Sequence, residues 1–314
     1  MTAETLPDGP LVAWYGDDFT GSAATMEVLA FAGLPSILFL DLPTPEELAR
    51  FAYYKGIGIA SVARSKSPEW MNEHLPPAFE RLASIGAPIA HYKICSTMDS
   101  APHVGSIGRA IDLAAPILGG DWHPLLIAAP PINRFQAFGN LFASAGGVAY
   151  RLDRHPTMSR HPVTPMDEAD VRLHLGKQTA KAFGLVDLPA LRSGRAGEAV
   201  AAARAAGAEV IAIDTIDADD LAAAGALIWG SRGERLFAIG SQGVEYALVA
   251  HFRATGALPA EDLAPSAGRA ERIVVTSGSC SPDTAAQITH AAERGFAPIR
   301  LDPRAALDET TWER

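Results

Sequence analysis

Short apolar runs, each closed by a polar or glycine-rich turn and then followed by a helical pattern, recur along most of the chain. The first run covers 11–15, turns through Gly16-Asp17-Asp18-Phe19-Thr20-Gly21 and enters a helix reaching about residue 32. Runs at 36–40, 56–60 and 87–94 follow, with helices expected over 45–54, 68–85 and 104–113. Further strands are expected at 124–128, 210–213, 236–239 and 272–276, then a helix over 282–294 and a last strand at 297–301. Apolar runs of strand length bounded by turn residues read as buried strands. Their alternation with helices implies an α/β fold, a mostly parallel sheet flanked by helices on both faces. Such sheets bind ligands beyond the carboxyl ends of their strands, so the polar turns there are where chemistry is expected. The stretch 151–165 interrupts the alternation: three prolines and dense charge make it a long structured loop.

Composition bounds the partners. A chain of 314 residues is long enough for about two domains, and 48% hydrophobic residues supply a core. The net charge of −10 argues against non-specific binding to nucleic acid or an anionic membrane. No apolar run approaches the roughly 18 residues of a membrane span. The first ten residues carry Glu4 and Asp8 but no Lys or Arg, unlike a signal peptide. Cys95 and Cys280 lack metal-ligand spacing, so the expectation is a cytoplasmic protein with reduced thiols. The looser stretch 253–269, rich in Ala, Gly and Pro, reads as a linker between 1–252 and the start of a second α/β domain at 270–314.

Four turns could carry chemistry. Asp17 and Asp18 stand where a strand hands over to a helix; one can cap the helix while the other accepts a hydroxyl proton or holds a cation, or both simply cap the turn. After another strand, Lys93 offers a point charge for a carboxylate or phosphate, and Ser96, Thr97, Asp99 and Ser100 offer hydrogen bonds to a polyol; a solvated Ser/Thr loop is the plainer reading. Gly105-Ser106-Ile107-Gly108 opens a helix whose free N–H groups would favour an anion. Arg134, after Pro130-Pro131-Ile132-Asn133, could grip a carboxylate or be a surface arginine. His161 and Thr164 could add ligands from the long loop, whereas His155 reads as structural. Ser277-Gly278-Ser279-Cys280-Ser281, with Gly240-Ser241 as a weaker turn of the same kind, could approach a phosphate chain, although no Gly-Lys-Ser/Thr follows.

Together, Asp17-Asp18-Phe19-Thr20-Gly21, Lys93-Ile94-Cys95-Ser96-Thr97, Gly105-Ser106-Ile107-Gly108, His161-Pro162-Val163-Thr164-Pro165-Met166 and Ser277-Gly278-Ser279-Cys280-Ser281 resemble, in order, the motifs of the four-carbon acid sugar kinase family. The resemblance implies an N-terminal domain for a tetronate-type acid and a C-terminal domain for ATP with Mg²⁺. It places Asp17 and Asp18 at the hydroxyl that is phosphorylated. Thr20, Lys93, Ser96, Thr97, Asp99, Arg134, His161 and Thr164 would hold the acid, and Gly240, Ser241, Ser277, Gly278, Ser279 and Ser281 would meet the nucleotide. No metal is expected to be held by a dedicated protein cluster. The family's Gly-Gly-Asp/Glu-Thr segment is not found, so the nucleotide domain is expected to be partial. The acceptor would be 3-oxo-tetronate, threonate or erythronate, the partners are expected to be small molecules, and the assembly a homodimer. Two rivals stand beside this reading: a sugar-acid binding protein without turnover, and a metal-dependent sugar-phosphate phosphatase, which adjacent aspartates suit less well than an Asp-x-Asp pair.

Overall fold

A computed structural model of the chain describes residues 5–262, 268–279, 282–302 and 304. It divides into two compact units, Met1–Pro265 and Ser266–Arg314.

The first unit is built on strands β1 (Val12–Gly16), β2 (Ser36–Phe39), β3 (Gly56–Ala60), β4 (Ile89–Lys93), β5 (His123–Leu126), β6 (Arg134–Ala137), β7 (Asn140–Ala145), β8 (Val148–Arg151), β9 (Phe183–Val186), β10 (Val210–Ile213) and β11 (Leu236–Gly240). Eight of these form one parallel sheet in the order β2-β3-β1-β4-β11-β5-β10-β9. The main helices are α1 (Phe19–Phe31), α2 (Pro45–Ala49), α3 (Pro68–Ser84), α4 (Ile107–Leu118), α5 (Val171–Gly176), α6 (Leu188–Arg192), α7 (Ala196–Ala205), α8 (Ala218–Gly230) and α9 (Gly243–Ala254).

The period of two along each strand sorts its side chains into two cores. Ala13 and Tyr15 of β1 join Phe79 of α3 and Ile111 of α4 on one face, while Val12 and Trp14 join Leu29 of α1, Ile228 of α8 and Leu248 of α9 on the other. Helices α1 and α4 therefore lie on opposite faces. The chain leaves β1 through α1 toward β2 and β3, and leaves β4 through α4 toward β5 on the other side. The sheet order thus reverses between β1 and β4, the kind of point beyond whose strand ends open α/β sheets bind ligands.

One element goes unread in the sequence. Residues 134–151 form an antiparallel meander, β6-β7-β8, in front of the loop 151–165. Its turns are Phe138-Gly139, with φ of 51° and 79°, and Gly146-Gly147, with φ of 57° and 79°. Asp214, just past β10, anchors it by accepting hydrogen bonds from the Phe138 and Gly139 amides and from Gln136 Nε2. The following loop is organised by two short 3₁₀ turns, Leu152–Arg154 and Met158–Arg160.

In the second unit helix α10 (Pro282–Ala292) forms as expected, but the strands expected at 272–276 and 297–301 do not. Ile273, Val274 and Ile299 are exposed by 60%, 92% and 82%. A strand exists only through a ladder with a neighbour, and among the described residues of this unit there is no second strand to pair with.

Candidate active site

Three turns at the sheet's reversal are stitched together through the backbone. The Asp17 amide donates to Lys93 O and the Arg64 amide to Asp17 O, each at 3.0 Å, and Ser61 Oγ donates to Gly16 O at 2.9 Å. The turns after β1, β3 and β4 therefore converge, as the register Ala60–Gly16–Lys93 across the three strand ends requires.

Two carboxylates meet there on one guanidinium. Arg64 Nε and Nη2 donate to Asp17 Oδ2 and Oδ1 at 3.2 and 2.6 Å. Its Nη1 and Nη2 donate to Asp18 Oδ2 and Oδ1 at 3.0 and 2.8 Å. Asp18 also caps α1, accepting from the Gly21 amide at 3.0 Å. Asp17 is 1% exposed, whereas the side chains of Asp18 and Arg64 are 26% and 22% exposed. Burial pushes the Asp17 carboxyl above its ordinary value, against the pull of Arg64 and Lys93. Burial also opposes the Arg64 charge, but Asp17, Cys95 and Asp18 outweigh it and hold the guanidinium above its ordinary range.

Lys93 completes the cluster from beneath. It is 1% exposed, its ammonium donates to Ile94 O at 2.7 Å, and burial lowers its pKa while Asp17 supports the charge. Two carboxylates and two cations then sum to zero, which lets charges this deep persist. A side chain at residue 21 would have to push the charged ends of the cluster aside: a Cβ on Gly21 would come within 2.4 Å of Asp18 Oδ1 and 2.6 Å of Lys93 Nζ. Gly105, with φ of 57°, lies against the Arg64 carbonyl, where a Cβ would sit 2.4 Å away.

The next turn brings Cys95, whose sulfur contacts Thr97 Oγ1 at 3.0 Å, while Thr97 Oγ1 donates to Asp99 Oδ1 at 2.9 Å. Burial, reinforced by Asp99, raises the thiol's pKa, and Arg64 works against that rise. Arg134 feels the same thiol; burial lowers the pKa of its guanidinium and Cys95 opposes this. Its Nη1 donates to Ile132 O and Asn133 O, both at 3.1 Å, and its Nε is buried without a partner. Cys95 is thus the one group whose charge both Arg64 and Arg134 feel.

The sequence-expected residues divide accordingly. Asp17, Asp18 and Lys93 come together; Arg134 joins through Cys95, with Thr97 and Asp99 bonded to each other beside it and Ser96 half-buried. Thr20 is exposed in the first turn of α1. His161 and Thr164 bond each other, through the Thr164 amide and hydroxyl to His161 Nδ1. Lys93 corrects its expectation: sealed under the aspartates, it presents no surface to an incoming carboxylate. The Gly105–Gly108 helix start is also corrected. Its Gly108 and Arg109 amides are taken by Gln178 Oε1 and Ser106 Oγ, leaving neither for an anion. Gly240 and Ser241 fare likewise. A Cβ on Gly240 would meet Leu126 O at 2.0 Å, and Ser241 is fully buried, donating to Ile127 O and accepting from the Gly243 amide. Ser277, Gly278 and Ser279 lie in an exposed stretch without regular structure, and Ser281 lies outside the described residues. Arg64 is the residue that sequence reasoning missed. Its signal was positional, four residues past the third apolar run, in a strand-end turn of the kind that binds ligands.

Among the described residues no group of three or more His, Cys, Asp or Glu side chains is placed to hold a metal ion, and no helix is long and apolar enough to cross a membrane.

Residues 12–248 match the model of a sugar-binding N-terminal domain family. The chain is 52% identical over 306 residues to a Paraburkholderia graminis protein named 3-oxo-isoapionate kinase, covering 98% of this chain and 65% of that relative's length. It is 30% identical over 305 residues to a Burkholderia multivorans 3-oxo-tetronate kinase, covering 95% of this chain and 67% of the other. A crystal structure of a Haemophilus influenzae protein of the DUF1537 family superposes with a TM-score of 0.72 at 25% identity, over 95% of this chain and 69% of that one.

Proposed function

The chain belongs to the four-carbon acid sugar kinase family through its sugar-binding N-terminal domain, and on that footing we propose that it supplies the acceptor-binding part of a kinase acting on a small sugar acid. The observation that carries this reading is the Asp17–Asp18–Arg64–Lys93 cluster at the point where the sheet order reverses. A sugar acid needs a cation for its carboxylate and acceptors for its hydroxyls, and the cluster exposes one of each, Arg64 and Asp18. Arg134, Ser96 and Asp99 extend the polar surface along the neighbouring turn, and Thr20 edges it from α1. Asp18, the more exposed carboxylate, would receive the proton of the hydroxyl that is phosphorylated, and Asp17 would hold Arg64 in register. A positioned base of this kind is worth about 10²–10⁴-fold in rate. The 52% identical relative favours a 3-oxo-isoapionate-like acceptor over a 3-oxo-tetronate-like one.

A kinase requires a phosphoryl donor, which for this family would be ATP with Mg²⁺. The described residues do not fit either group: the Ser277–Ser279 stretch has no regular structure, Ser241 is consumed internally, and both aspartates face Arg64. The chemistry assigned to this chain is therefore on the acceptor side, namely binding the acid, orienting it and taking up a proton. A binding role without turnover is the second reading, favoured by this misfit at the nucleotide residues.

A thermal-shift panel separates the readings. A bound acid at 100 times its Kd stabilises the fold by about 2.7 kcal/mol, a rise of several degrees. Threonate, erythronate and 3-oxo-isoapionate should each be tried with and without Mg·ATP, alongside an assay for acid-dependent ADP release. Stabilisation by an acid supports the acceptor site, ADP release in addition would show that the chain also holds the donor and contradict a binding role alone, and no response to any acid contradicts the site.

A further inference from the structure

We propose that Arg64 is the residue that takes the acceptor's carboxylate, and that it does so by exchanging Asp18 for the incoming acid. This rests on the reading of the cluster as a sugar-acid site. A guanidinium has five N–H donors, and four are spent: Nε and one Nη2 hydrogen on Asp17, one Nη1 hydrogen and the other Nη2 hydrogen on Asp18. The two edges differ in access. The Asp17 edge is sealed, with that carboxylate 1% exposed, whereas Asp18 is 26% exposed. A carboxylate arriving from solvent therefore meets the Nη1/Nη2 edge, whose geometry suits bidentate binding. Of the other cations, Lys93 is buried under the pair, and Arg134 has committed Nη1 to two backbone carbonyls and keeps its unpartnered Nε buried.

The surroundings permit this exchange without disturbing the fold. Arg64 keeps Asp17 on its inner edge, its amide stays bonded to Asp17 O, and Gly105 packs against its carbonyl. Asp18 also accepts from the Gly21 amide, so when it swings off the guanidinium its carboxylate still keeps a hydrogen-bond partner. In the absence of acid Asp18 stays engaged by Arg64; once the acid takes that edge, the Asp18 carboxylate is free to face the bound hydroxyl.

The test is isothermal titration of the 314-residue chain with threonate and, as an uncharged probe, erythritol. Wild type should prefer threonate. Arg64→Lys keeps the charge but loses the bidentate edge, and should cut threonate affinity at least tenfold with little change for erythritol. Asp18→Asn removes the competitor for that edge, and should tighten threonate binding severalfold. Unchanged affinity in Arg64→Lys, or unchanged or weaker binding in Asp18→Asn, overturns the exchange while leaving the sugar-acid site standing. Failure of wild type to bind threonate, erythronate or 3-oxo-isoapionate overturns both.

Discussion

A buried cluster whose charges cancel is held together by every one of its members. Taking Lys93 away as Lys93→Met leaves Asp17, Asp18 and Arg64 with one uncompensated negative charge next to the sealed Asp17. Breaking a buried ion pair from one side typically costs about 3–5 kcal/mol, and urea unfolding of the variant should show a loss of that order. Gly21→Ala tests the same packing without touching a charge. Its methyl would press on Asp18 Oδ1 and Lys93 Nζ, so threonate affinity should fall at least tenfold while far-UV circular dichroism stays native; unchanged affinity would show that the close approach has no functional weight. At this scale the aspartates were legible as candidates because adjacent carboxylates at a strand-to-helix turn leave one beyond what the cap needs, and Asp18 is the one that caps α1. Lys93 was legible as a charge but not as a sealed one, since burial depends on α1 covering it from another part of the chain. Arg64 was not legible, because an arginine in a polar turn carries no mark of its partners.

The sheet strands announced themselves as apolar runs because a parallel sheet covered on both faces is apolar on both faces. The meander β6-β7-β8 did not, since its strands are only half-buried and mix Arg, Gln and Asn with apolar residues. Its clearest sign was Gly146-Gly147, a two-residue connection of the hairpin type. What fixes it in place is Asp214, distant in sequence and invisible to any local pattern. Asp214→Ala would strip the Phe138 and Gly139 amides and Gln136 Nε2 of their acceptor. Leaving buried donors unpaired costs about 1–3 kcal/mol each, and the weakness should be local. Hydrogen exchange at residues 134–151 should speed up while β1 and β4 keep their protection; uniform acceleration would show instead that the meander and the main sheet open as one unit.

For the molecule as a whole, acid stability is set in part by two histidines kept neutral inside it. Burial holds His123 down to about 4, with Lys181 adding to the effect, and holds His174 down to about 4, with Lys177 adding to it. The unfolded chain takes up these protons near the ordinary value of 6.5, whereas the folded chain refuses them until about 4. Their contribution is thus fully present above pH 6.5 and is lost as pH falls to 4, at up to about 1.4 kcal/mol per pH unit for each group. Asp17 and Asp214, whose carboxyls burial raises, push the other way at the acid end. A His123→Asn, His174→Gln double variant should show a flatter denaturation midpoint than wild type between pH 6.5 and 4; parallel curves would assign the acid response elsewhere.

Whether a small hydroxy acid binds where the turns after β1, β3 and β4 converge is best seen in a crystal structure of the chain with threonate. The expected complex has the acid's carboxylate on the Nη1/Nη2 edge of Arg64, a hydroxyl within hydrogen-bonding distance of Asp18, and Lys93 still covered. Threonate bound away from these side chains, with Arg64 still clasping both aspartates, would contradict it.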